Sequence, residues 1–62
     1  MDEIKSVKYD IHKLDECLKN LEQAYKSLVD VDDTDELYTE IVNIAEKAND
    51  IKMQKEIKLE EM

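Results

Sequence analysis

The 62-residue chain contains no glycine, no proline, no phenylalanine and no tryptophan, and its nine cationic side chains are all lysine. Tight hairpins, β-bulges and phosphate-cradling loops depend on glycine and proline, so a chain lacking both is expected to be helix almost throughout. Arginine is the usual reader of phosphates and base edges. Without it, and with lysines interspersed among acids, direct nucleic-acid binding is not expected. A single cysteine, Cys17, excludes an intramolecular disulfide and points to a reducing, cytoplasmic setting. No more than two strongly apolar residues adjoin anywhere, which leaves no membrane span, and the acidic start lacks the apolar segment of a leader.

What is present is periodic. Ile4, Val7, Ile11, Leu14, Leu18, Leu21, Tyr25 and Leu28 follow one another at alternating spacings of three and four, an unbroken heptad seam. With Ile4 as position a, the g positions Cys17, Ala24 and Val31 widen the stripe to the three-in-seven face of a bundle helix. A second apolar face runs through Leu37, Ile41, Ile44, Ala48 and Ile51, and reaches Lys55, Leu59 and Met62 if the spacing slips as in a stutter. Between the two lies Val29-Asp30-Val31-Asp32-Asp33-Thr34-Asp35-Glu36, the one plausible break. Asp33 is expected to cap the second helix, with Glu36 completing a capping box, and Asp30 or Asp32 to take the left-handed conformation that ends the first.

The expected fold is therefore all-α: a single domain, residues 1–62, with helix 1 over about 2–30, a loop at about 31–33 and helix 2 over about 34–61. Short connection forces the helices antiparallel, setting Leu28 level with Leu37, Leu21 with Ile44 and Leu14 with Ile51. Compact burial for this mass is worth about 95 kcal/mol, and ordering the residues costs about 93 kcal/mol, so a lone hairpin is marginal. Two helices cannot enclose a three-in-seven face. A second copy, making a homodimeric four-helix bundle, is the economical cover.

Charge is unevenly placed. Asp30, Asp32, Asp33, Asp35, Glu36, Glu40 and Glu46 are unrelieved by any lysine between positions 30 and 46, so nearly all of the net charge of -8 sits there. Asp33, Asp35 and Glu36 suit a helix N-terminus, but Asp30 and Asp32 lie near the end of helix 1, where negative charge is unfavourable. An anionic docking surface for a basic protein accounts for them. Val42, Met53 and Ile57 fall off the second apolar face and form a candidate apolar contact strip.

Catalysis and cofactors find little support. Asp30, Asp32 and Thr34 imitate the first ligands of a calcium loop, but Asp35 stands where glycine is required and Ile41 where a bidentate glutamate is. His12 and Glu16 supply two metal ligands where zinc needs more, and one histidine with one cysteine makes no convincing nucleophile–base pair. The chain is thus expected to be a non-catalytic protein-binding regulator or inhibitor, without cofactor or metal. Two alternatives remain open: a nucleic-acid-mimicking inhibitor of a DNA- or RNA-binding protein, whose carboxylates replace phosphates, and a structural or assembly subunit.

Overall fold

A computed structural model describes residues 3–62 as two antiparallel helices, α1 (Glu3–Ser27) and α2 (Asp35–Glu61), with no strand among the described residues. The expected start of helix 1 at Asp2 lies outside the described residues. The hairpin measures 49 × 14 × 13 Å. Its radius of gyration of 14.6 Å compares with about 10.5 Å for a compact chain of this length. It is a rod.

The connection is longer than the expected loop at 31–33, because α1 stops at Ser27. The Leu28 amide donates to Tyr25 O at 3.2 Å and the Val29 amide to Lys26 O at 3.3 Å, the tightened bonding with which a helix unwinds. The left-handed residue is Asp33, at φ 62°, and not Asp30 or Asp32. Asp33 consequently does not cap α2. Thr34 takes that place with no side-chain cap bond, its hydroxyl donating instead to Val31 O at 3.1 Å, and it is buried at the base of the turn. One residue in the αL conformation thus reverses the chain where glycine would ordinarily be used.

The axial level of the helices follows the expected pairing, but α2 is rotated about its axis. Its inward residues are Tyr38, Ile41, Ala45, Ala48, Lys52, Lys55 and Leu59, whereas the expected seam residues Leu37, Ile44 and Ile51 are 46%, 51% and 46% exposed. The inward series alternates three and four without a stutter to the end of the helix, so one rotation serves the whole length of α1. Ala45 and Ala48 keep the contact slim, and Tyr38 meets Tyr25 with ring centroids 4.7 Å apart and planes tilted at 59°.

On α1, Val7 is buried and Ile11, Leu14, Leu18 and Leu21 are half-buried, as is Leu28 just past its end, while Ile4 and Tyr25 are exposed. The core is thin. Among the described residues Val7 and Ala48 are the buried apolar side chains, and no large side chain is fully enclosed.

Candidate docking surface

The turn gathers the acidic residues at one end of the rod. Asp30, Asp32, Asp33, Asp35, Glu36 and Glu40 are all exposed, and among the described residues none takes part in a salt bridge. Glu46 lies further along α2 and is also exposed. The buried Thr34 bonds Val31 O beneath the turn, and the carboxylates stand on its exposed side. Asp35 and Glu36 occupy the first turn of α2, where the helix dipole favours them. Asp30 and Asp32 have no such partner.

Three lysines of α2, away from the turn, are engaged by carboxylates of α1. Lys52 Nζ donates to Asp15 Oδ1 and Lys55 Nζ to Asp10 Oδ2, each at 3.1 Å, and Lys58 Nζ lies 3.2 Å from Glu3 Oε1. These bonds cross between helices and lie along the edge of the seam. Lys52 and Lys19 beside Asp15 hold its carboxyl below the ordinary aspartate range, the hydrogen bond from Lys52 contributing most. On the outer face of α1, Lys13 and His12 both reach Glu16, at 3.2 and 3.0 Å; the Lys13 bond lowers the Glu16 pKa and raises that of Lys13. His12 Nε2 therefore makes an exposed contact with Glu16 one helical turn away.

The expected strip of Val42, Met53 and Ile57 does not form one surface. Val42 borders the seam, where it shares a shallow groove with Leu18, Leu21 and Tyr25, while Met53 and Ile57 fall on the outward positions of α2. All three are exposed. A second groove, of about 370 Å³, opens on the other side of the hairpin between Tyr9, Leu14 and Ile51, with Lys13 and Lys55 at its border.

Cys17 is a half-buried free thiol at the edge of the seam. Among the described residues no group of three histidine, cysteine or carboxylate side chains is placed to hold a metal, and no helix is long and apolar enough to cross a membrane.

The cross-helix pairs Asp15–Lys52 and Asp10–Lys55 escaped the sequence reading, although the spacing 38, 41, 45, 48, 52, 55, 59 marks both lysines as seam residues. An apolar-only reading passed over that series. Compared with known protein families, curated proteins and solved structures, the chain matches none of them.

Proposed function

We propose that the chain is a small non-catalytic regulator or inhibitor that works as a helical-hairpin homodimer and docks a basic protein through its acidic turn. One observation carries the reading. The carboxylates of the turn are exposed and free of salt bridges among the described residues, and no lysine lies between positions 30 and 46 to relieve them, whereas six of the nine lysines are engaged by carboxylates outside that segment. The field of the molecule is therefore concentrated at one end, where it speeds encounter with a cationic surface and repels acidic ones. Among the described residues the core is thin and the grooves are open to solvent, which favours binding over catalysis.

The test is capture of basic proteins by the wild-type chain and by a variant carrying Asp→Asn at positions 30, 32, 33 and 35. Asparagine accepts the left-handed conformation at position 33, so helicity should persist. Capture should be lost, and wild-type capture should weaken steeply with salt. Unchanged capture by the variant refutes the reading. If DNA competes for the captured protein, the carboxylates are replacing phosphates; if it does not, they serve an ordinary protein interface.

A further inference from the structure

The rotation of α2 leaves Leu37, Ile44 and Ile51 outside the hairpin, and their spacing of seven residues puts them in one row along the rod, roughly 21 Å long. They are half exposed or nearly so, unlike the residues turned inward. The row ends at Ile51, on the wall of the groove formed with Tyr9 and Leu14.

The exposed area says how much cover is missing. A monomer of 7.3 kDa ordinarily exposes about 4,200 Å². This hairpin exposes 5034 Å². The excess, roughly 870 Å², matches the approximately 800 Å² that each partner contributes to a standard interface.

Charge decides the orientation. Two copies side by side with turns together would oppose the six carboxylates of one turn to the six of the other. Reversing one copy instead brings each acidic turn level with the border of the other copy's groove, where Lys13 and Lys55, paired with Glu16 and Asp10, leave the local charge balanced rather than strongly negative.

We propose that a second copy of this chain covers the Leu37–Ile44–Ile51 row antiparallel to the first, with Ile44 on the two-fold axis and Leu37 of each copy seated in the Tyr9–Leu14–Ile51 groove of the other. This rests on the homodimer named above and specifies its face and direction. It sets the two acidic turns at opposite sides of the bundle, roughly 30 Å apart along the axis, making the dimer bivalent toward basic partners.

Disulfide mapping of the purified protein in a Cys17→Ser background tests it. Ile44→Cys should close a disulfide with its own copy on oxidation, because the axis brings equivalent residues together. Leu37→Cys and Ile51→Cys should stay single when oxidised alone and pair when the two variants are mixed. Leu37→Ala should raise the dimer dissociation constant by roughly tenfold or more in sedimentation equilibrium, with helicity regained at high concentration.

Self-pairing of Leu37→Cys, or no disulfide from Ile44→Cys, overturns the face or its direction while leaving a dimer intact. A folded monomer at about 100 μM, far above a micromolar dissociation constant, overturns this interface together with the homodimer itself. Capture by the acidic turn is read separately and is untouched by either result.

Discussion

Replacing Lys52 by leucine should stabilise the hairpin, and the gain reports directly on how α2 is rotated. The Lys52 side chain keeps 22% of its exposure while bonding Asp15. Full burial of leucine is worth about 1.5–3 kcal/mol, so at this depth roughly 1.2–2.3 kcal/mol is available. Two terms reduce it: the lysine methylenes already packed there, and the lost bond to Asp15. Asp15 is not stranded, because Lys19 Nζ lies 3.4 Å from its other oxygen and the carboxylate still reaches water. Lysine and leucine have nearly equal helix propensity, so the backbone is indifferent to the change.

The net gain is about 1 kcal/mol, or roughly 4–8 °C in Tm for a domain of this size. Thermal unfolding followed by circular dichroism at several protein concentrations separates this from self-association, which also raises Tm. Lys47→Leu is the control: Lys47 is exposed on the outer face, and its replacement should change stability by no more than about 0.5 kcal/mol. If Lys52→Leu lowers Tm, or moves it no further than Lys47→Leu, position 52 is not in the seam and the rotation of α2 is refuted.

Further outcomes follow from the turn and the cross-helix bonds. Because the folded-state pKa of Asp15 is depressed, its contribution is present above the ordinary carboxylate pKa and is lost as pH falls through the depressed value. Urea titrations should find wild type more stable than Asp15→Asn by a constant margin above about pH 5, a margin that closes on acidification; a margin that widens would contradict the sign. Asp33→Val, forcing a β-branched residue to φ 62°, should cost about 1–2 kcal/mol, whereas Asp33→Gly should be near neutral because relieved strain offsets the greater entropy of the unfolded chain. A double-mutant cycle replacing Tyr25 and Tyr38 by leucine should return a coupling of about 0.5–1.5 kcal/mol, and additive losses would mean that the ring contact contributes nothing beyond burial.

Much of this architecture was legible in the residues. The absence of glycine and proline pointed to helix, and the spacing of Val7, Ile11, Leu14, Leu18 and Leu21 marked the face that α1 turns toward α2. The turn was legible only in part. Asp30, Asp32 and Asp33 are all tolerable in the left-handed region, and local propensity does not rank them; the burial of Thr34 and its bond to Val31 O do. The rotation of α2 was hidden for a different reason. The face through Leu37, Ile44 and Ile51 is the more apolar one and reaches Lys55 by a stutter, whereas the unslipped series runs through Ala45 and Lys52, where a lysine stem packs and its ammonium meets an aspartate at the edge.

α2 carries two overlapping heptad series that share Ile41 and Ala48. One completes itself with Leu37, Ile44 and Ile51; the other with Tyr38, Ala45, Lys52 and Lys55. For a lone hairpin the first is the better core, since three large aliphatic side chains bury more apolar area than a tyrosine, an alanine and two lysines whose ammonium ends must reach water. The hairpin nevertheless closes on the second. That choice forfeits hydrophobic stabilisation within the chain unless the aliphatic row is buried by another surface, in which case both series contribute at once: the alanines and ion pairs fix the register of the hairpin, and the aliphatic row holds the hairpins together. The same division accounts for the scant core around Val7 and Ala48 and for the excess of exposed area. On the proposed dimer, the strongest apolar residues of α2 lie where a second copy would cover them.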